Sequence, residues 1–174
     1  METGPIPLSN RRHKFLCTSI ILLSVISLFS INKASSSSWQ DRMLISLNLV
    51  RAEKSLLPLQ MCKPLVEAAQ KYAQTMANQN FYSHTGRDGS TPGSRIQKAG
   101  YNWMKAQGGA SVAENIAAGQ KSVSEVMKAW SESKPHYKNM TSDEFTHVGF
   151  GMATSPKSKY KKYWVQNLGS GATC

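Results

Sequence analysis

The chain has 174 residues, enough for one ordinary domain and a short additional segment. Its formal net charge is +11, and 40% of its residues are hydrophobic, which excludes wholesale disorder. Twelve Gly, seven Pro and three Cys exclude a collagen-like chain and a disulfide-dense mini-protein. So high a positive charge leaves nucleic acids, anionic membranes and cell-wall surfaces as partners to consider.

The first 36 residues have the three parts of a secretory signal peptide. Arg11, Arg12 and Lys14 precede an apolar run, 15–29, which is followed by small polar residues. The run is shorter than the roughly 20 residues of a membrane-spanning helix, so cleavage is predicted, and retention as an anchor is the alternative. Export predicts a secreted protein with no stable membrane span, and it argues against nucleic acid as a partner.

Removal of residues 1–36 changes both the charge and the cysteine count. Four Arg and Lys residues and one Glu are lost, so the mature net charge is +8. Cys17 is lost as well, and an even pair, Cys62 and Cys174, remains. In an oxidising compartment this pair predicts one disulfide, and two unrelated thiols are the alternative. The bond would stabilise the fold by roughly 4–5 kcal/mol on the chain-entropy model, because it closes a very long loop.

Apolar residues spaced by three or four positions predict four helices after this leader. Their ranges are 41–54, 64–80, 94–99 and 122–135. The second begins with a proline in its first turn, where a backbone N–H would have no partner within the helix, so its absence costs no hydrogen bond. The fourth opens on Ser122 and Glu125, which have the S-x-x-E pattern of a capping box, and Pro135 is predicted to end it.

Two β-strands are predicted at the end of the chain, over 147–153 and 160–168, and the short polar segment SPKSK joins them as an antiparallel hairpin. Helices followed by strands predict an α+β domain with helices packed on an antiparallel sheet. The basic residues concentrate in this hairpin, at Lys157, Lys159, Lys161 and Lys162. These lysines either protect an edge strand from pairing or form a patch for an anionic surface.

Three histidines and one isolated glutamate are the candidates for chemistry. His84 lies where the second helix gives way to a Gly-rich loop, and His147 begins a strand. Glu114 stands alone in the apolar stretch VAENIAAG. Two imidazoles and this carboxylate, if folding joins them, suit a Zn²⁺-type ion or acid–base chemistry. The alternative is core histidines bonded to the backbone and a structural salt bridge of the glutamate.

Five segments resemble, in order, the signatures of the CAP superfamily, named after cysteine-rich secretory proteins, antigen 5 and pathogenesis-related class 1 proteins. They are FYSHTGRDGSTPGSRI, AENIAAG, WSESKPHYKNM, FTHVGFG and YWVQNLG. The resemblance covers about residues 40–169 and is greatest with the short, cysteine-poor branch. It implies a single CAP (SCP) domain over 37–174, folded as a three-layer α-β-α sandwich with a central antiparallel sheet and an open cleft.

The resemblance also implies which residues line that cleft, since two His and two Glu face it in the family. The predicted cleft-lining residues are His84, Glu114, His147, Glu132 and His136. The first three match family positions. The register of the second Glu falls on Ser133, so Glu132 lies one residue early, about 100° around a helix. His136 matches a histidine that is frequent in the short branch.

CAP proteins bind Zn²⁺ weakly through the two His, and many bind sterols, fatty acids or other lipids. The leading hypothesis is a secreted, non-enzymatic module that binds a small apolar ligand or an extracellular partner, in defence or host–microbe interaction. One alternative is a zinc-dependent hydrolase or peptidase, in which His84 and His147 hold the metal and Glu114 activates water. Another is a basic antimicrobial or cell-wall-binding protein. Asn139, in an N-x-T sequon, is a predicted glycosylation site on a surface loop.

Overall fold

The computed structural model describes residues 37–105 and 109–174, so the predicted signal peptide, 1–36, lies outside the described residues. The described helices and strands are α1 (Trp39–Ala52), β1 (Gln60–Met61), α2 (Lys63–Gln79), α3 (Pro92–Lys98), β2 (Val112–Ala118), α4 (Val123–Ser131), α5 (Lys134–Met140), β3 (His147–Thr154) and β4 (Lys162–Gly169). A single 3₁₀ turn, Trp103–Lys105, follows α3.

The strands form one sheet in the order β1-β3-β4-β2. Strands β3 and β4 form the predicted hairpin, and β2 lies antiparallel on the other side of β4. The predicted α+β fold with a central antiparallel sheet is thus confirmed. Two strands were not predicted. One is β2, in the segment VAENIAA. The other is β1, which pairs parallel with β3 over two residues in a segment predicted as a break. A two-residue strand is too short to show any alternation of polar and apolar residues.

Helices cover both faces of this sheet, which confirms the three-layer sandwich. Helix α2 packs on the face that carries Ile116 and Val165. Helices α1, α4 and α5 pack on the opposite face, against Phe150, Trp164 and Leu168. Successive side chains of a strand point to opposite faces of the sheet, so each face carries apolar side chains for the helices to pack against. Strand β4, which carries Lys162, is central, whereas β3 pairs with β1 only at His147 and Val148.

Helix α2 lies unusually close to the sheet because two residues of β3 have no side chain. A Cβ atom on Gly149 would collide with the backbone of α2 at Leu65 and Val66, and one on Gly151 would collide with it at Ala69. The helix presents small residues at this contact, among them Ala69 and Ala73, which are fully buried. Sheet and helix backbones therefore touch directly.

The predicted fourth helix is two helices. Ser122 caps α4 as predicted, and its hydroxyl accepts a hydrogen bond from the N–H of Glu125. The helix ends at Ser131, and Pro135 lies in the first turn of the next helix, α5. The prediction that Pro135 ends a helix is wrong, because a proline near the start of a helix is as favourable as Pro64 is in α2.

The predicted disulfide joins Cys62 and Cys174. Cys62 is the residue that precedes the first turn of α2, and its N–H donates to the carbonyl of Val148 in β3. The last residue of the chain is thereby tied to the junction of α2 with the sheet.

Replacement of Gly151 by alanine tests the close approach of α2. We expect Gly151→Ala to lower the free energy of unfolding by about 2 kcal/mol or more, because the added methyl group meets backbone that cannot rotate away. Urea unfolding followed by circular dichroism measures the change. An unchanged unfolding midpoint would contradict the direct contact of sheet and helix.

Candidate functional site

Glu114, near the start of β2, is the centre of a polar cluster at one end of the sheet. Its side chain is only 1% exposed, yet both carboxylate oxygens are bonded. Oε1 accepts from Nδ1 of His84 at 2.8 Å, and Oε2 accepts from Nη2 of Arg95 at 2.8 Å. The cost of burying this carboxylate is offset by the two partners, so the glutamate is held in one place.

Arg95, from α3, organises the loop that carries His84. Its guanidinium lies 3.3 Å from the centre of the Tyr72 ring. The same group donates to the carbonyl oxygens of His84 and Ser90, at 3.0 and 2.9 Å. Burial raises the pKa of Tyr72, whose hydroxyl donates to the carbonyl of Ser83. Arg95 was not among the predicted site residues, although it belongs to the first CAP-like segment.

Two histidines, His84 and His136, lie close enough for the charge of one to affect the other. The side chain of His84 is 51% exposed, and its bond to Glu114 leaves Nε2 available. His136, in α5, has Nδ1 at 2.9 Å from the hydroxyl of Ser133. Burial lowers the pKa of His136, and the nearby charge of His84 lowers it further. His136 is therefore neutral near pH 7, and its Nε2 is not engaged by Ser133.

His136 lines a small recess of about 210 Å³ at the outer edge of β2. The recess is also lined by Tyr82, Tyr160, Trp130, Ser133, Gln120, Ala129 and residues 116–118. The rings of Tyr82 and Tyr160 lie 5.9 Å apart. The carbonyl of Ile116 accepts hydrogen bonds from the hydroxyl of Tyr82 and from the indole N–H of Trp130. We call His84, Glu114 and this recess together the cleft of the domain.

The structure does not bring His147 to this cleft. His147, at the start of β3, pairs with Gly169 of β4. Glu114 lies in β2, on the other side of β4, and pairs with Asn167. Strand spacing and residue rise place the Cα atoms of His147 and Glu114 about 12 Å apart. The hydroxyl of Tyr101 lies 3.0 Å from Nδ1 of His147, and burial lowers the pKa of this histidine. In this structure the second histidine of the cleft is His136.

The other predicted cleft residue, Glu132, points to solvent. Its side chain is 65% exposed and lies 3.7 Å from Nζ of Lys128, one helical turn earlier. Ser133, the next residue, lines the recess instead. The one-residue difference from the family register therefore places a hydroxyl where the family has a carboxylate.

Asn139 does not lie in a surface loop, and that expectation is wrong. It lies within α5, and its amide nitrogen donates to Oδ1 of Asn115 at 2.8 Å. Asn115 is fully buried and is bonded in turn to Gln166. The nitrogen that a glycan would occupy takes part in a partly buried amide network.

A groove lies between α1, α4 and the ends of β3 and β4, and we call it the α1–α4 groove. Its volume is about 730 Å³. Its apolar lining residues are Trp39, Ile45, Val123, Met127, Met152 and Trp164, and its polar ones are Arg42, Ser46, Lys121, Ser122, Ser124 and Lys162. Three lining side chains are cationic and none is a carboxylate. The periodicity of α1 predicts its buried face but gives no sign of this groove.

A three-layer sandwich with a His–Glu cleft at the edge of its sheet defines a CAP-type domain. The chain matches the cysteine-rich secretory protein (CAP) family over residues 44–168, and it belongs to that family. The predicted family is thus confirmed.

Curated relatives include two proteins of Bacillus subtilis (strain 168). Uncharacterized protein YkwD is 32% identical over 122 residues, covering 70% of this chain and 45% of the relative. Uncharacterized membrane protein YlbC is 24% identical over 136 residues, covering 78% of this chain and 36% of the relative. The chain therefore spans less than half the length of either relative.

Solved structures of similar fold include an extracellular protein and an outer surface protein. An extracellular SCP-domain protein from Bacillus anthracis str. Ames has a TM-score of 0.63 at 25% identity, covering 75% of this chain and 39% of that one. An outer surface protein from Borrelia burgdorferi also has a TM-score of 0.63, at 21% identity, covering 75% of this chain and 91% of that one. The comparisons give the hydrolase hypothesis no support.

Two further findings concern metal and membrane. Among residues 37–105 and 109–174, no three His, Cys, Asp or Glu side chains are grouped so that they could hold a metal ion. Within the same ranges, no helix is both long and apolar enough to cross a bilayer. The described residues of the cleft therefore do not form a closed set of protein ligands for a metal.

Glu114→Gln tests the ion pairs at the centre of the cleft. We expect a loss of about 2–4 kcal/mol in the free energy of unfolding, because Arg95 is left buried with no carboxylate and an amide N–H₂ faces its donors. Glu132→Gln is the matched control, since it removes an exposed pair and should change stability by about 0.5 kcal/mol or less. Equal effects of the two variants in urea unfolding would contradict this account.

Proposed function

We propose that the chain is a secreted, non-enzymatic binding protein that holds an anionic amphiphile, a fatty acid, in the α1–α4 groove. The observation that carries the proposal is the combination of an apolar lining with three cations in one groove. A volume of about 730 Å³ falls within the range of about 300–1,000 Å³ typical of small-molecule sites.

The apolar part of the groove suits an alkyl chain. Trp39 and Trp164 meet edge to face, with ring centres 5.9 Å apart, and form an aromatic wall. Met127 and Met152 supply flexible thioether side chains that adapt to a chain of variable length and shape. Burial of each methylene of a ligand in such a groove contributes about 0.8 kcal/mol.

The polar part suits a carboxylate. Nζ of Lys162 donates to the carbonyl of Lys121 at 2.8 Å and lies 5.5 Å from the ring centre of Trp164, so the ammonium group of Lys162 lies at the aromatic wall. Lys121 also lines the groove. Ser122 and Ser124 supply hydroxyl groups at the N-terminal end of α4, where the carboxylate of Glu125 accepts a hydrogen bond from the N–H of Lys121 at 2.9 Å. This charge pattern favours a fatty acid over a neutral sterol.

A hydrolytic role for the cleft has less support. Each oxygen of Glu114 already accepts a hydrogen bond, from His84 and from Arg95, so the carboxylate is not a free base that could activate water. His147, the second metal ligand of the hydrolase hypothesis, lies elsewhere in the sheet.

Neutralisation of the two groove lysines tests the proposed ligand. We expect Lys121→Gln with Lys162→Gln to weaken binding of a fluorescent fatty acid at least tenfold, since hydrogen bonds to charged groups contribute about 1.5–3 kcal/mol. The methyl ester of the same acid has no charge to pair. It should therefore bind the unchanged protein as weakly as the free acid binds the double variant. Fluorescence titration measures both.

The control carries the same change of charge outside the groove. Lys157→Gln with Lys159→Gln, in the exposed hairpin turn, should leave the affinity unchanged. If this control weakens binding as much as the groove variant, the basic hairpin and not the groove attracts the ligand. If acid and ester bind equally, the carboxylate plays no part, and the proposal fails.

We further propose that zinc binding by this chain uses His84 and His136. Glu114 and Ser133 hold the Nδ1 atoms of the two rings, which leaves both Nε2 atoms free and orients them. Two imidazoles without a third protein ligand make a weak site, which water must complete. The metal would supply a Lewis acid, but the cleft has no free carboxylate beside it.

Substitution of single histidines tests the choice of ligands. We expect His84→Ala and His136→Ala each to weaken Zn²⁺ binding at least tenfold, measured by competition with a chelating dye. His147→Ala is the control and should bind as the unchanged protein does. If His147→Ala lost as much affinity for Zn²⁺ as His136→Ala, then His147 would also be a ligand, and the proposed choice of ligands would be wrong.

A further inference from the structure

The outer face of α1 carries an apolar patch that the fold does not use. Ile45 and Leu49 are 56% and 62% exposed and lie one helical turn apart. At 100° per residue, Arg42, Ile45 and Leu49 fall within about 60° of the helix circumference. Met43 and Leu47, on the opposite side of α1, are fully buried in the core.

This patch is continuous with the α1–α4 groove. Ile45 and Arg42 belong to the patch and also line the groove, whereas Leu49 belongs to the patch alone. Isolated exposed apolar side chains are ordinary on protein surfaces. An exposed apolar pair at the mouth of an apolar groove is different, since a ligand that enters the groove must pass it.

The charges around the patch are complementary to an anionic surface. Arg42, Lys121 and Lys162 surround the groove, and Lys121 is exposed to solvent on one side of it. Asp41 also lies on α1, but its carboxylate accepts a hydrogen bond from the N–H of Ser38 at 2.9 Å as part of the helix cap. Glu53 follows the other end of the helix.

We propose that this face of α1 docks on the surface of a bilayer that contains anionic lipid, with Ile45 and Leu49 at the headgroup level. The inference rests on the proposed function, because it names the place from which the groove takes its ligand. Passage of an alkyl chain through water is disfavoured in proportion to its length, so a groove that opens against the bilayer avoids that step. Two shallow apolar side chains with flanking cations give reversible attachment and not insertion.

Co-sedimentation of the full chain with vesicles tests the docking face. Phosphatidylcholine vesicles with phosphatidylserine should bind the protein, and pure phosphatidylcholine vesicles should bind it much less. We expect Leu49→Gln to reduce binding to the anionic vesicles about tenfold, because an apolar contact is lost. Glutamine has a helix propensity close to that of leucine, so α1 should persist. Met104→Gln is the control, as Met104 is 65% exposed but lies outside α1 and the groove.

The outcomes separate this inference from the proposed function. Because Leu49 does not line the groove, Leu49→Gln should bind a fatty acid in solution as the unchanged protein does. Loss of vesicle binding with retained fatty-acid binding supports the docking face. Unchanged vesicle binding in Leu49→Gln, or an equal loss in Met104→Gln, overturns it, whatever the groove binds. Dimers that Leu49→Gln dissociates in analytical ultracentrifugation would assign the patch to a second copy of the chain and also overturn it.

Discussion

The direct contact between α2 and the sheet sets the position of everything in the cleft. With no side chains at Gly149 and Gly151, the helix rests on the strand backbone, and its height above the sheet is fixed. That height leaves room for one guanidinium between the ring of Tyr72 on α2 and the carboxylate of Glu114 on β2. Arg95 fills the space and in turn holds the loop of His84. A shift of the helix would change the geometry of the imidazole through three successive contacts.

The cleft and the α1–α4 groove differ in the kind of chemistry that they offer. In the cleft, Glu114 is fully bonded and His136 is kept neutral by burial, which lowers its pKa, so the polar groups mostly serve one another. In the groove, lysine and arginine side chains lie beside tryptophan and methionine with no carboxylate among the lining residues. The first arrangement is self-contained, whereas the second combines cationic and apolar groups without a lining carboxylate to pair with.

Much of the fold could be predicted from the sequence, because periodicity reports burial. The strong pattern after Pro64 predicts α2, and two β-prone segments joined by a short polar turn predict the hairpin. What could not be predicted depends on tertiary contacts. A proline between two apolar segments is equally compatible with the end of one helix and with the first turn of the next, and Pro135 lies in the first turn of α5. Which histidine lines the recess depends on the register of the sheet and the position of α5. The register places His147 opposite Gly169, away from the recess, and α5 places His136 in its lining.

Strand β2 forms the long edge of the sheet, and two aromatic side chains cover it at Ile116. The carbonyl of Ile116 accepts hydrogen bonds from both Tyr82 and Trp130. A strand from another molecule would have to displace the buried Trp130 and the partly exposed Tyr82 before it could pair there. At this point the edge is thus covered by aromatic donors, without help from charge. Such cover disfavours pairing between two copies of the chain at this point of the strand.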